Sequence, residues 1–242
     1  MWKYFIESIQ GKKTRKNQDY QEVNEREDKL LAIVCDGLGG APSGEVASRL
    51  CVKSIADSFL EEYNPPYTKE WMIEIVKEAN RFLYDYSVIH SKCNGMGTTM
   101  VALLINNDKG IVANVGDSRL YSYEKDQLVQ ITEDDSLVWE QFRKGKLKKD
   151  EMIRHPSSHL ITKHIAMGRD IDLKPFEISI AKKQLFLLCS DGITDYLTDE
   201  KIHSLIDMKT TLEENSQKII EAALNEDSDD DISIILLSNY MS

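Results

Sequence analysis

Short runs of apolar and β-branched residues recur along the chain, and each run is bounded by residues that favour turns. Runs of this length and composition predict β-strands. Each run is far shorter than the ~20 apolar residues that a membrane-spanning helix needs. The predicted strands are Tyr4–Ile9, Leu30–Cys35, Thr99–Ile105, Ile111–Val115, Leu120–Tyr123, Leu128–Ile131, Phe176–Ile180, Leu185–Cys189 and Ile232–Leu237.

Helical spacing of apolar residues fills the gap between the second and third predicted strands. It runs over residues 46–54 and again over 71–86, and Asn64-Pro65-Pro66 breaks it, which predicts an antiparallel helix pair. Two more amphipathic segments, 198–206 and 219–223, precede the last strand. Strands, then helices, then strands again favour an α+β layered fold over a regular parallel α/β fold.

Length, composition and charge narrow the class of protein. The 242 residues are 41% hydrophobic and contain only five prolines and twelve glycines, so we expect one domain over residues 1–242 with no linker. The formal net charge of −11 makes nucleic acid and anionic membranes unfavourable partners. The N-terminal residues lack the apolar core of a secretory signal, so we expect a cytoplasmic location. Four cysteines without CxxC spacing indicate buried, reduced thiols, with neither structural zinc nor disulfides.

Aspartates follow apolar strands at three places, each beside a glycine or serine: AIVCDGLGG, ANVGDSR and FLLCSDGITD. A small neighbour permits a tight turn that delivers the carboxylate to the rim of a sheet. Taken singly, each is more often an ordinary turn residue. Together with two further candidates they could converge; the full set is Asp19, Asp36, Asp117, Asp191 and either Asp230 or Asp231.

Several carboxylates brought together repel one another unless a cation lies among them. Hard oxygen ligands that retain water suit Mg²⁺ or Mn²⁺, so we expect a site for two such ions. Two ions can lower the pKa of a shared water and hold the oxygens of a phosphoryl group in line. The sequence therefore predicts hydrolytic chemistry on a phosphate ester.

The same motifs carry a family resemblance. In order they are RKNQD (15–19), DGLGGAPSGEVAS (36–48), GMGTT (95–99), NVGDSRLY (114–121), QITEDDSLV (130–138), HPSSHLIT (155–162), LLCSDGITD (187–195) and DDISIILL (230–237). The chain resembles the metal-dependent type 2C protein phosphatases (PPM family) in their compact bacterial form. The resemblance implies a four-layer α-β-β-α sandwich with two central, mainly antiparallel sheets and a dinuclear metal site at one end. It also implies a flap at about residues 133–167.

The resemblance assigns roles residue by residue. Asp36 matches the carboxylate that bridges both ions, and Gly37 would offer its carbonyl oxygen. Asp191 and Asp230 match terminal ligands, and Asp117 matches a ligand of a weaker third ion. Asp19 matches the position that acts through metal-bound water, so Asp19, Asp36 and Asp191 form the expected catalytic set.

Hydroxyl groups near the expected site are interpreted as structural. Thr98, Thr99 and Ser118 would stabilise the turns beneath it by local backbone hydrogen bonds rather than act as nucleophiles. The resemblance also implies an arginine near the start of the first motif that binds the substrate phosphate. Arg15 is the best match, with Lys13 or Lys16 as alternatives because the spacing in RKNQD is tighter than the family's common spacing.

Two departures from the family pattern matter for the chemistry. Leu38 stands where eukaryotic relatives carry a histidine that acts as general acid. Asp231 stands where the family has asparagine, and strand alternation favours Asp230 as the ligand. On this interpretation Asp231→Asn should leave activity largely intact.

The flap contains a basic cluster (Arg143, Lys144, Lys146, Lys148 and Lys149) that could attract an acidic stretch around a phosphorylated residue, although a solvated helix face explains it equally well. Its histidines, His155, His159 and His164, are expected to be structural or surface residues.

We therefore predict a Mg²⁺- or Mn²⁺-dependent phosphatase that acts on phosphoserine and phosphothreonine in proteins. We expect its partners to be phosphoproteins, including a serine/threonine kinase, and we expect a monomer. The alternatives are a pseudophosphatase that binds phosphoproteins without turnover and a phosphatase of small phosphorylated metabolites.

Overall fold

The computed structural model describes residues 1–38, 43–61, 66–149, 151–153 and 155–240. Its strands are β1 (Lys3–Ile9), β2 (Asp19–Arg26), β3 (Lys29–Asp36), β4 (Met100–Asn106), β5 (Lys109–Val115), β6 (Arg119–Glu124), β7 (Gln127–Gln130), β8 (Phe176–Ser179), β9 (Leu185–Cys189) and β10 (Ile232–Ser238). Its α-helices are α1 (Gly44–Leu60), α2 (Lys69–Ile89), α3 (Leu137–Arg143), α4 (Asp191–Thr194), α5 (Asp199–Leu205) and α6 (Leu212–Asn225).

The strands form two five-stranded sheets. One sheet has the order β1-β10-β9-β6-β7 and the other has the order β2-β3-β4-β5-β8. Every strand pair is antiparallel. Antiparallel pairing allows short turns between strands that are consecutive in the chain. Strand β2 therefore lies beside β3, and β4 lies beside β5.

Side-chain alternation along each central strand divides the core into layers. In β3, Leu31, Ile33 and Cys35 face the helices, whereas Leu30, Ala32 and Val34 face the other sheet. Because neighbouring side chains in a strand point to opposite faces, an apolar run without polar gaps is buried on both sides. From the opposite sheet, Phe186 and Leu188 of β9 point into the same layer between the two sheets.

Helices cover the outer face of each sheet. The pair α1 and α2 packs on β3, β4 and β5 through one apolar cluster, and α5 and α6 pack on β6, β9 and β10 through another. Three cores thus separate four layers in the order helix, sheet, sheet, helix. The predicted α+β sandwich is confirmed.

The strand predictions agree with the structure within one or two residues at each end, with one omission. Strand β2 was missed because its sequence, DYQEVNER, is polar and only partly buried, so it has no apolar run. It forms an edge of its sheet, where polar side chains are usual.

The helix predictions also hold. Thr198 caps α5 as expected, accepting a hydrogen bond from the Lys201 amide at 3.1 Å. Residues 64–65 of the predicted breaker and residues 39–42 in the middle of the DGLGGAPSG motif lie outside the described residues. All four cysteines are buried and free, as predicted. Over the described part of the chain, no helix is both long and apolar enough to cross a bilayer.

Candidate metal centre

Strand ends bring the predicted aspartates to one end of the sandwich. Asp19 opens β2 and Asp36 closes β3, and these two residues are direct partners in the register of the two strands. Asp191 follows β9 through Ser190 and opens α4, while Asp117 lies in the turn between β5 and β6. Asp230 lies two residues before Ile232, the first residue of β10. The fold therefore places these five predicted residues at neighbouring strand ends.

Two threonines hold the backbone at Asp36. The Thr98 hydroxyl donates to the Asp36 carbonyl at 2.7 Å, and the Asp36 amide donates to the Thr99 hydroxyl at 3.0 Å. Thr99 in turn lies 2.6 Å from the Ser118 hydroxyl. These bonds join segments that are distant in the sequence, and the Thr98 hydroxyl also lies 3.0 Å from the carbonyl of its neighbour Thr99. The contacts fit the predicted structural role.

Glycine is required beside Asp36 by close packing. A Cβ atom on Gly37 would overlap the Gly44 carbonyl and approach the Gln18 carbonyl. The Gly37 amide donates to that Gln18 carbonyl at 3.0 Å. The backbone of residue 37 is thereby fixed between the loop before β2 and the start of α1.

Burial raises the pKa of every carboxyl in the group. Burial is the largest cause for Asp19, whose pKa rises to about 7 even though the Ser190 hydroxyl donates to it at 2.8 Å. Burial followed by the charges of Asp19 and Asp191 raises the pKa of Asp36 well above its usual range. Burial and the charges of Asp117, Asp195 and Asp230 do the same for Asp191. A negative charge is unfavourable at each position unless a cation compensates it.

Asp36 and Asp191 also interact with each other through their side chains. Both residues are partly exposed to solvent. One oxygen of Asp19 and one of Asp191 are buried and have no hydrogen-bond partner among the described residues. Such orphaned anionic oxygens suit an oxygen-loving cation.

The protein side chains do not by themselves complete an ion cage. Within the described ranges, no three acidic, histidine or cysteine side chains form a cluster that could hold a metal ion. Hard divalent cations such as Mg²⁺ retain several waters and bind few protein carboxylates, so paired carboxylates with orphaned oxygens fit them. The donor set fits Mg²⁺ or Mn²⁺ bound partly through water.

Asp117 lies beside a buried ion pair that the sequence interpretation missed. Burial, followed by the charges of Asp134 and Asp195, raises the pKa of Asp117 to about 8. Asp134 accepts from the Arg119 guanidinium at 2.7 Å, and both side chains are buried. The QITEDDS and GDSR motifs contain both residues, but only the fold shows that they meet.

Asp195 is a second missed member of the group. It stands four residues after Asp191, so one turn of helix places it on the same face. Burial raises its pKa, while a hydrogen bond with Ser158 of the flap lowers it. The spacing in DGITD was the available signal.

The two adjacent aspartates before β10 have different surroundings. Asp230 lines a cleft together with Lys13, His159, Asp191 and Asp195. Asp231 is buried and points the other way, where it accepts three hydrogen bonds from the loop between β1 and β2. Asp230 therefore shares a cleft with Asp191 and Asp195, whereas the Asp231 carboxylate is bound by the loop and affects Asp19 through its nearby charge.

The basic residues of the first motif are also distinguishable. Lys13 pairs with Asp229 at 2.5 Å and Lys16 pairs with Glu45 at 3.2 Å. Arg15 is exposed and makes no ion pair with any described residue. It lines a second cleft, which also contains Asp230 but neither Asp191 nor Asp195. Of the three candidates, Arg15 is the one whose charge is available to a ligand.

The flap contacts the candidate site on its other side. Within it, Val138 and Trp139 of helix α3 pack against Met152 of the following segment. Lys149 pairs with Asp199 at 2.5 Å, which ties the flap to α5. Other members of the basic cluster pair within the flap, Arg143 with Glu133 and Lys144 with Glu140, so much of its charge is already compensated.

Comparisons with known proteins find bacterial phosphatases among the relatives of this chain. The serine/threonine phosphatase stp of Listeria innocua is 31% identical over 235 residues, covering 96% of this chain and 93% of that protein. Protein phosphatase PhpP of Streptococcus pneumoniae is 28% identical over 234 residues, covering 94% of each.

Solved structures give the same result. The serine/threonine phosphatase Stp1 from Staphylococcus aureus superposes with a TM-score of 0.92 at 30% identity, covering 98% of this chain and 95% of that one. The catalytic domain of the phosphatase PstP in complex with two manganese ions has a TM-score of 0.85 at 26% identity, covering 98% and 97%. The family model for Protein phosphatase 2C matches residues 11–226, and the chain belongs to that family.

Proposed function

We propose that this member of the protein phosphatase 2C family is a protein serine/threonine phosphatase that hydrolyses phosphoserine and phosphothreonine with the help of bound Mg²⁺ or Mn²⁺. The observation that carries the proposal is the group of buried, mutually repelling carboxylates with orphaned oxygens on Asp19 and Asp191. The names of the relatives support the substrate class.

The residues that would hold the ions are those at the strand ends. Asp36 would contact both ions, with the Gly37 carbonyl, Asp191 and Asp230 completing the protein ligands and Asp19 acting through water. Asp117 together with Asp191 would hold a third, weaker ion. When bound, the ions supply an activated water and compensate the charge on the phosphoryl oxygens.

The chain's own residues position the candidate metal ligands and the substrate phosphate. Thr98 and Thr99 fix the backbone of Asp36, and the Ser190 hydroxyl orients Asp19. Arg15 would bind the substrate phosphate by charge-assisted hydrogen bonds from its exposed loop. Leu38 offers no proton, so the leaving alkoxide would take its proton from water or from another side chain of the cleft.

The remaining expectations join this proposal. We propose one phosphatase domain over residues 1–242 with a flap at 133–167, acting as a monomer in the cytoplasm. Its partners would be phosphorylated proteins, including a serine/threonine kinase. The four free, buried cysteines support a reducing compartment.

Phosphate release from matched substrates tests the function. The purified protein should hydrolyse a phosphothreonine peptide in Mn²⁺ and lose that activity in EDTA. A phosphotyrosine peptide of the same sequence and a sugar phosphate should react far more slowly. Equal or faster release from the sugar phosphate would instead indicate a metabolite phosphatase, and binding of the phosphopeptide without release would indicate a pseudophosphatase.

A further inference from the structure

A single buried carboxylate joins the two ends of the described chain beside the candidate metal centre. Asp231 is 2% exposed and accepts hydrogen bonds from the Gly11 amide, the Thr14 hydroxyl and the Gln18 amide, each at 2.7 Å. The donors span the loop between β1 and β2, residues 10–18, hereafter the β1–β2 loop. We infer that Asp231 is a positioning residue that fixes this loop, and with it Arg15, relative to Asp230.

Other contacts show how closely the loop follows the segment before β10. A Cβ atom on Gly11 would overlap the Asp230 backbone, so the two backbones are in direct contact. The Lys13 amide donates to the Asp229 carbonyl at 3.0 Å, and the Lys13 ammonium pairs with the Asp229 carboxylate. Asp231 lies at the centre of these contacts and is the member that is most buried.

Three donors explain why this position carries aspartate. One oxygen of Asp231 receives two of the hydrogen bonds and the other oxygen receives the third. A carboxylate can accept at both oxygens, whereas an asparagine amide accepts at one and donates at the other. In either orientation, asparagine would turn its NH₂ group toward the amide of Gly11 or of Gln18.

This geometry reverses the expectation from the sequence pattern. The family's usual asparagine is not a neutral replacement here, because it would leave a backbone N–H facing another donor, which is unfavourable when buried. The freed loop would carry Arg15 away from the cleft that it shares with Asp230. We expect weaker phosphate binding with the metal ligands unchanged.

The inference rests on the proposed function for its kinetic consequence but not for its structural one. In Mn²⁺, Asp231→Asn should raise KM for a phosphothreonine peptide about 10-fold and raise the inhibition constant of inorganic phosphate in parallel. Its kcat should stay within about 3-fold of the wild-type value, and its Mn²⁺ dependence should be unchanged.

Limited trypsin digestion of the whole protein in EDTA provides a readout that needs no activity. The β1–β2 loop contains Lys12, Lys13, Arg15 and Lys16 as cleavage sites, and residues 143–149 of the flap provide internal reference sites. Asp231→Asn should increase cleavage in the loop at least 5-fold with flap cleavage unchanged. Asp230→Asn is the matched comparison, since it should abolish turnover and leave loop cleavage at the wild-type rate.

Thr14→Val keeps the inference testable if Asp231→Asn does not fold. It removes one of the three donors and should increase loop cleavage about 2-fold. Wild-type loop cleavage in both folded variants, with KM unchanged in an active enzyme, would overturn the positioning role. An inactive wild-type protein whose loop is released by Asp231→Asn would overturn the proposed function and leave the role of Asp231 standing.

Discussion

Asp19→Asn should stabilise the metal-free protein at alkaline pH. Asp19 is 6% exposed, and its folded-state pKa rises from 3.8 to about 7, mainly through burial. An acid whose pKa is raised on folding binds its proton more tightly in the folded state. Its ionisation therefore destabilises the protein progressively as the pH rises from about 4 to about 7, and the penalty is constant above that range. Asparagine has no such penalty.

The structure sets the size of the effect. At about 1.4 kcal/mol per pH unit, the displacement of the Asp19 pKa corresponds to at most about 4 kcal/mol. The neighbouring Asp230 and Asp231 contribute part of the repulsion, and Ser190 can still donate to the asparagine oxygen. Because neighbouring acids can take up protons in place of Asp19, we expect a gain of about 1–2 kcal/mol at pH 8. The gain should shrink toward zero near pH 4.

Urea unfolding in EDTA, at pH 5 and at pH 8, measures this directly. The exposed Asp108→Asn variant serves as control and should be neutral at both pH values. Saturating Mn²⁺ should reverse the order at pH 8, because ligand binding stabilises the wild-type protein more than a variant that has lost a carboxylate of the site. A metal-free Asp19→Asn protein that is less stable than wild type at pH 8 would refute the repulsion argument.

Three further predictions follow from individual contacts. Arg15→Ala should raise KM for a phosphopeptide about 10-fold or more with little change in Mn²⁺ affinity, whereas Lys16→Ala, whose charge already pairs with Glu45, should change KM little; the reverse result would move the phosphate-binding role. Thr99→Val leaves the Asp36 amide without its acceptor and should lower the unfolding free energy by about 1–3 kcal/mol and kcat by about 10-fold, with wild-type kcat as the contradicting outcome. Phe186→Ala, at the buried interface of the two sheets, should cost about 3–5 kcal/mol in urea unfolding, and a loss below 1 kcal/mol would argue against that core.

The sequence predicts the fold well wherever burial is symmetrical. The central strands β3, β4, β9 and β10 are buried on both faces, so they appear as continuous apolar runs. Strand β2 has no such run, because its side chains are partly exposed along most of its length. An edge strand of this kind is stabilised by backbone pairing to its neighbour, and that pairing leaves little trace in composition.

The candidate site is predictable in part for a related reason. Asp36 and Asp191 stand directly beyond apolar strands, so the pattern marks them. Asp195 is placed near the site by one helical turn after Asp191, and Asp134 is placed there by its ion pair with the buried Arg119. Neither aspartate follows an apolar run. The role of Asp231 depends on contacts between residues more than 200 positions apart. Spacing along the chain carries no signal for such a contact.

Strand register explains how a rigid core can hold carboxylates that repel one another. Asp19 and Asp36 face each other because β2 and β3 pair in that register. Slipping the register by one residue would turn each side chain of the slipped strand to the opposite face. The apolar layers on both sides of β3 therefore oppose the relaxation that would separate the two carboxylates. Charge repulsion stays stored at the end of the sandwich until cations or protons compensate it. Mn²⁺ should accordingly raise the melting temperature more at pH 8 than at pH 5, since protons compete for the same oxygens at low pH.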